Sequence, residues 1–307
     1  MARIPLEDNF GDIVGKAQRG LRLTDAELAR RAGAPAERLG ELKSGMPAAA
    51  GAVDEVVVRK LAVALDLGAD ALVASAKNSW YPHDPGPLDG FAAFTTPFGD
   101  MTVNAYVVFD PKTREAVHRE GGSLVPRRQS EEPRAAALDT GADADPMLQF
   151  IREKQLTLAL ILLTHTHADH VFELDRLKDA TGAKAFVSER EPLAGAEPFA
   201  DGKEFALGGL KIEARRTSGH ARGGTTFVVT GLARRLAMVG DALFAGSMGG
   251  GAVSYDEALR TNRTGIFTLP DDTIICPGHG PLTTVGEEKL RNPFFTGHSQ
   301  QQAAQQQ

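Results

Sequence analysis

The sequence predicts an α/β domain preceded by a small all-α bundle. Three observations predict it. Residues 10–77 carry helix caps and helical apolar spacing without a strand signal; from Phe91 onward, short aliphatic and β-branched runs alternate with helical stretches; and ligand-type residues gather at the ends of those runs. At 307 residues the chain has room for one large domain or two ordinary ones. Its net charge of −6 excludes a chain built for broad, non-specific nucleic-acid binding, though not a local basic face. The single cysteine, Cys276, cannot form an internal disulfide, so no oxidising compartment is implied. The N-terminus "MARIPLEDNFGDIV" lacks the apolar stretch of a signal peptide, and no run reaches the roughly 18 apolar residues of a membrane span. A cytoplasmic protein without membrane contact is expected.

The bundle, residues 1–77, reads as five short helices. In "LTDAELARRAG", Thr24 and Glu27 stand at capping-box spacing and Gly33 sits where a helix stops. "APAERLGELKSG" repeats the plan between Pro35 and Gly45. "DEVVVRKLAVALDLG" spaces Val57, Leu61, Ala64 and Leu65 helically, and "ADALVASA" makes a last helix. Residues 78–90, "NSWYPHDPGPLDG", read as a linker or docking loop with Trp80 and Tyr81 as anchors. The domain over 91–297 contains the strand-like runs "TVNAYVVFD", "AAALDTG", "LALILLTH", "AKAFVSE", "LKIEARRT", "TTFVVTG" and "RLAMVGDALF", with helices expected near 143–154, 169–181 and 255–268. The polar stretch 111–134 is too long for an ordinary connection and is expected to be a mobile insertion or a lid. The low-complexity tail 298–307, which includes His298, is expected to be disordered.

Three of the eight histidines fall within "HTHADH". His165 and His167, two apart after a buried strand, point one way off its end; Asp169 and His170 follow as a helix opens. Imidazole and carboxylate are the usual ligands of zinc and other borderline metals. Three further candidates stand at other strand ends: His220 in "TSGHARGG", Asp241 in "AMVGDALF" and His279 in "TIICPGHGP". Four separated loops therefore offer metal-ligating side chains. Each is an unremarkable core or capping residue alone; the ordered set points to a metal site.

The set resembles the metallo-β-lactamase superfamily. Its H-x-H-x-D-H signature appears as His165, His167, Asp169 and His170, followed in order by His220, Asp241 and His279. The similarity spans residues 91–297. "GDALFAGS" and "PGHGPLTTVGEEKLRNPFF" resemble the glyoxalase II (hydroxyacylglutathione hydrolase) group, particularly its short bacterial members. The resemblance implies an αββα sandwich with two divalent metal ions at one edge. Zinc is the first expectation for their identity, and iron and manganese fit the same ligands. By it, His165, His167 and His220 bind the first metal, Asp169, His170 and His279 the second, and Asp241 bridges them. It implies hydrolysis of a thioester or related acyl ester by a metal-bridging hydroxide, oriented by Asp169. Two divalent cations outweigh the carboxylates and hydroxide, so a small anionic or carbonyl-bearing substrate is expected. Ser218 and Ser247 are then turn residues rather than nucleophiles.

The chain departs from glyoxalase II in "LFAGSMGGGAVSY", which has no basic residue before Arg260, and in lacking the helical C-terminal extension. Arg222, Arg260 and Arg263 are the candidates for pairing with substrate carboxylates. Phe172 and Glu173 stand where many relatives have glycine and are expected to narrow the pocket. Residues 23–45 resemble a helix-turn-helix of the lambda-repressor-like class. Its recognition helix, 36–43, offers a mixed set, Glu37, Arg38, Glu41 and Lys43, on a module of near-neutral charge, so docking or dimerisation is expected in preference to DNA binding. The alternatives are a mononuclear iron persulfide dioxygenase, a lactonase or phosphodiesterase, and a metabolite-sensing DNA-binding regulator. A homo-oligomer is compatible with the sequence.

Overall fold

Two six-stranded sheets face each other in the computed structural model, which describes residues 3–43, 53–111 and 134–297. The first sheet runs in chain order: β1 (Phe91–Phe98), β2 (Met101–Phe109), β3 (Arg134–Leu138), β4 (Thr157–Leu162), β5 (Lys184–Ser188) and β6 (Glu197–Phe199). It is antiparallel as far as β3 and parallel beyond. The second comprises β7 (Glu204–Leu207), β8 (Leu210–Arg216), β9 (Thr225–Thr230), β10 (Leu236–Gly240), β11 (Ile274–Pro277) and β12 (Thr283–Thr284), again ordered along the chain, with only β10 and β11 parallel. Helices α6 (Asp145–Glu153), α7 (Ala168–Val171) and α8 (Leu174–Thr181) follow strands of the first sheet, and α9 (Tyr255–Gly265) and α10 (Val285–Arg291) belong to the second. The αββα sandwich implied by the sequence is present.

The layers follow from strand periodicity. Successive residues point to opposite faces, and both faces here are covered, so the strands read as nearly unbroken apolar runs. Val108, Leu138 and Leu162 meet Ile212, Phe227, Met238 and Cys276 between the sheets. Their neighbours Val107, Ala137 and Ile161 turn outward onto Met147 of α6 and Leu177 of α8. Ala237, Val239 and Ile275 turn outward from the second sheet.

That outer face joins the N-terminal helices α1 (Phe10–Gly20), α2 (Asp25–Ala32), α3 (Ala36–Lys43), α4 (Glu55–Ala64) and α5 (Ala69–Ala76). Ile13, Val14, Leu28, Leu61 and Leu72 form one continuous core with Val239, Leu243, Ile266, Ile275 and Phe294. The bundle is therefore part of the sandwich's helical layer. The capping box at Thr24 is formed: its hydroxyl accepts from the Glu27 amide at 3.2 Å, and Glu27 accepts from the Thr24 amide at 2.8 Å. Gly33 closes α2 in the left-handed conformation, φ 59°. In α3, Leu39 is buried and Lys43 donates to Gln18 and Asp25 at 2.8 Å each.

Residues 78–90 form a strap fastened at several points. Tyr81 donates to the Ile4 carbonyl at 2.7 Å, and His83 meets Glu287 through its amide and ring. Arg234 donates to the Pro85 carbonyl. The insertion expected over 111–134 lies, apart from its ends, outside the described residues, as does the tail 298–307. The helix expected over 169–181 is two helices, α7 and α8, broken at Phe172–Glu173. β1 is not apparent from sequence: it is an edge strand, where Pro97 is tolerated and one face need not be apolar. Among the described residues, no helix is long and apolar enough to cross a membrane.

Candidate metal centre

Seven side chains from four loops converge at one edge of the sandwich. Their ligand atoms form two groups, His165, His167, His220 and Asp241, and Asp169, His170 and His279, with the atoms of each group within 4.8 Å of one another. The loop after β4 supplies four of the seven. His167 precedes α7 in extended backbone, and the short helix lifts Asp169 and His170 beside the two earlier histidines. His167 Nδ1 lies 3.1 Å from His165 Nε2 and 3.0 Å from His220 Nε2, so three ring nitrogens aim at one point. In the second group, Asp169 Oδ2 lies 3.5 Å from His170 Nε2 and 3.2 Å from His279 Nε2.

Asp241 touches both groups. Its Oδ2 is 3.4 Å from His220 Nε2 and 3.5 Å from His279 Nε2, and its Oδ1 is 3.3 Å from His170 Nε2. Two glycines admit it. Gly240 ends β10 at φ 50°, and a Cβ there would meet the Thr164 hydroxyl at 2.3 Å. A Cβ on Gly278 would lie 2.2 Å from Asp241 Oδ1 and 2.6 Å from His170 Cε1, so only glycine lets β11's exit pass behind the carboxylate.

The opposite nitrogens of three of these rings have fixed partners. His220 Nδ1 lies 3.0 Å from the Gly250 carbonyl, His279 Nδ1 2.6 Å from the Thr102 carbonyl, and His170 Nδ1 2.9 Å from Asp139 Oδ2. Such contacts set the tautomer, directing the opposite nitrogen's lone pair into the site. Asp139 also accepts from the amide and hydroxyl of Thr164 at 2.7 Å each, anchoring the start of the histidine loop. Glu191 accepts from Thr166 and from the Gly223 amide, tying that loop to the one bearing His220. Sequence reasoning passed over both acids. Asp139 carries a signal like that of the ligands, an acid directly after a strand in "ALDTG"; Glu191 carries none.

The residues fit a pair of cations. His170 Nε2 and Asp241 Oδ1 are buried polar atoms without a hydrogen-bond partner, and such atoms are rare unless they serve an ion or a reaction. Burial, then the neighbouring His170, drives the His165 ring well below the usual histidine range; burial does the same to a lesser degree for His220. Both are neutral donors. Burial opposes charge on His170 and His279 too, but Asp241 and Asp139 push the first up to about 10, and Asp169 and Asp241 push the second up to about 11. Burial would raise the Asp241 carboxyl, yet His170, His279 and His165 hold it well below the carboxylate range. The site binds positive charge wherever its carboxylates meet its rings, and cations replace protons there.

Of the candidate arginines, Arg260 and Arg263 lie on α9 and Arg222 follows His220 by two residues. Arg222 and Arg260 are exposed. Arg263 lies over the Phe295 ring at 5.9 Å, and burial lowers its pKa against the opposing fields of Asp66 and Tyr255, so it faces the helical region rather than the centre. Phe172 is 61% exposed, with its ring edge-on to Phe98 at 5.6 Å; the Glu173 amide donates to Thr140 and its carboxylate accepts from Arg176.

Comparison with known proteins agrees with this geometry. The family profile described as "Metallo-beta-lactamase superfamily" matches residues 138–279. A protein described as a probable metallo-hydrolase from Streptococcus pyogenes is 33% identical, covering 52% of this chain and 79% of that one. A hydroxyacylglutathione hydrolase from Haemophilus influenzae is 31% identical, covering 55% and 91%. Among solved structures, the BLEG-1 B3 metallo-beta-lactamase superposes with a TM-score of 0.52 at 26% identity, covering 67% of this chain and all of that one. ETHE1 from Myxococcus xanthus superposes at 0.55 and 24% identity, a likeness of fold, covering 68% and 87%. With its sandwich, its ordered ligands and these relatives, the chain belongs to the metallo-β-lactamase superfamily of metal-binding hydrolases.

Proposed function

We propose that the protein cleaves an acyl thioester or related acyl ester at a centre of two divalent metal ions. The observation that carries this reading is Asp241, whose two oxygens face both ligand groups. We assign His165, His167 and His220 to the first cation, Asp169, His170 and His279 to the second, and Asp241 to both. Zinc suits this imidazole and carboxylate set, with iron and manganese as the competing cations. Such a pair supplies an ionised water near neutral pH and polarises the carbonyl oxygen. The protein's part is orientation. Asp169 would orient the attacking water toward the acyl carbon, and Asp139, Gly250 and Thr102 fix the rings. A thiolate departs without a strong general acid, which accords with the side chains present. Ser218 is engaged by Arg216 and Glu257, and Ser247 by Asp8, which supports their reading as structural hydroxyls.

The Haemophilus influenzae relative makes a glutathione thioester the first substrate to test. S-Lactoylglutathione turnover, followed at the thioester absorbance, is expected from zinc-loaded protein and to cease on chelation. Oxygen uptake with glutathione persulfide by iron-loaded protein, without thioester cleavage, would assign the chain to persulfide oxidation instead. For residues 1–77 we propose a docked helical module, fastened by the strap 78–90 to the 91–297 sandwich. The shared core and the engagement of Lys43 within the bundle support docking over DNA reading.

A further inference from the structure

The loop 241–254, between β10 and α9, carries one ligand and touches two others, yet it is neither helix nor strand. It begins with Asp241. The Phe244 ring is edge-on to His279 at 5.8 Å, and the Gly250 carbonyl lies 3.0 Å from His220 Nδ1. A Cβ on Gly249 would lie 1.9 Å from the Asp241 carbonyl oxygen and 2.8 Å from His220 Nδ1, so the backbone doubles back against both residues. Gly246, Gly249, Gly250 and Gly251 give this path no backbone preference of its own. Its shape must come from the groups that fasten it.

The Asn262 side chain donates to the Ala242 carbonyl at 2.7 Å, Lys16 donates to the Met248 carbonyl at 2.9 Å, and Asp8 accepts from the Ser247 hydroxyl. Phe244 and Ser247 exchange backbone hydrogen bonds at 3.0 and 3.1 Å, closing a turn. Gly246 lies within that turn at φ 72°, and a Cβ there would meet the Trp80 ring at 2.7 Å. Behind the turn stands Glu288 of α10, fully buried and without a cationic partner among the described residues. It accepts from the Gly246 amide at 3.0 and 3.2 Å, from the Thr283 hydroxyl at 2.9 Å and from the Asn292 side chain at 2.8 Å. The same Asn292 nitrogen donates to the Ser247 carbonyl at 2.8 Å. Burial pushes the Glu288 carboxyl up to about 7, and Asn292, Thr283 and the Gly246 amide oppose the rise. Every partner is a donor, and each carboxylate oxygen meets two of them. A side-chain amide in either orientation would set its own N–H groups against a donor, leaving a buried polar group unpaired.

We infer that Glu288 is a positioning residue for the metal centre: through Gly246 and Asn292 it holds the loop in the form that presents Asp241 to both ligand groups and the Gly250 carbonyl to His220. The inference rests on the two-cation reading above, and its test does not depend on the substrate. Full-length protein is chelated, then titrated with zinc against a competing chelator at pH 8, where the Glu288 carboxyl is largely ionised. Glu288→Gln should lower zinc affinity about tenfold. Leu61→Ala, which weakens the apolar core without touching the loop, should bind zinc as wild type does. The visible absorption of cobalt-loaded protein, which reports ligand geometry, should change in Glu288→Gln and match wild type in Leu61→Ala. Asn292→Ala removes the hold on Ser247 but leaves the acid in place; it should lose a smaller part of the affinity, and it decides the matter if Glu288→Gln does not fold. Where wild type cleaves a thioester, Glu288→Gln should lower kcat with little change in KM. Absence of turnover in wild type would count against the hydrolase reading alone, since the zinc and cobalt measurements still judge Glu288. Wild-type zinc affinity and cobalt absorption in Glu288→Gln, or in Asn292→Ala where that variant decides, would overturn the inference. So would a loss of affinity in Leu61→Ala equal to that in Glu288→Gln.

Discussion

The metal centre and the N-terminal helices are held in place by opposite means. At the centre a few polar side chains are each fixed by a named partner: His170 by Asp139, His220 by the Gly250 carbonyl, His279 by the Thr102 carbonyl. The helices are positioned by undirected apolar burial, with Val14, Leu28 and Leu61 merging into the core that contains Val239 and Ile275. Ligand chemistry demands particular atoms at particular distances, so it leaves a local mark in the sequence. Apolar docking requires only a face of suitable shape. The two regions meet along residues 3–9, where Asp8 and Lys16 reach the loop that follows Asp241 and Glu7 passes over Gly280 beside His279.

The sharpest way to separate them is to remove the residue both cations would share. Asp241→Ala should abolish turnover and lower metal content while leaving the helices folded, as read by elemental analysis and circular dichroism. Asp139→Asn, which spares every ligand, should cost about 10–100-fold in metal affinity by freeing the His170 ring. An affinity equal to wild type in a competition titration would show that Asp139 serves only the fold.

On the apolar side, Leu61→Ala in α4 and Leu243→Ala behind the centre should each cost about 2–5 kcal/mol. Because their side chains share one core, both should lower the same cooperative transition in urea. Two separate transitions, one moved by each variant, would make the helices an independent domain.

The regions should also differ with pH. In chelated protein, His170 and His279, pushed up to about 10 and about 11 after burial's opposing pull, hold protons more tightly folded than unfolded. Their stabilisation is fully present below about pH 6.5 and declines as pH rises toward about 10. Metal affinity runs the other way, since the same nitrogens must shed protons to coordinate. Urea midpoints of the chelated protein falling from pH 7 upward, while metal affinity rises, is the expected pair of slopes. The smallest effect is expected at a helix cap: Thr24→Ala removes one cap and should lower stability by about 1 kcal/mol with metal content unaffected.

Legibility in the sequence follows the same division. His165, His167, Asp169 and His170 stand out because four ligand-type side chains fall within six positions, and Asp241 and His279 because each follows a buried strand beside a glycine. Thr24 and Gly33 marked the ends of α2 correctly, since caps are local chemistry. What lay hidden depends on distant partners. Glu191 becomes a brace only once the fold brings Thr166 and Gly223 to it. Arg263, one of three arginines the sequence offers for a substrate carboxylate, instead lies over the Phe295 ring. Nothing in "ARIPLEDN" reveals that Glu7 passes over Gly280.

Elemental analysis of wild-type protein, purified without chelator and assayed for thioester turnover in the same preparation, tests the binuclear centre most directly. Two equivalents of divalent metal per chain are predicted in the fully active protein. Full activity with a single equivalent would contradict a centre bridged by Asp241.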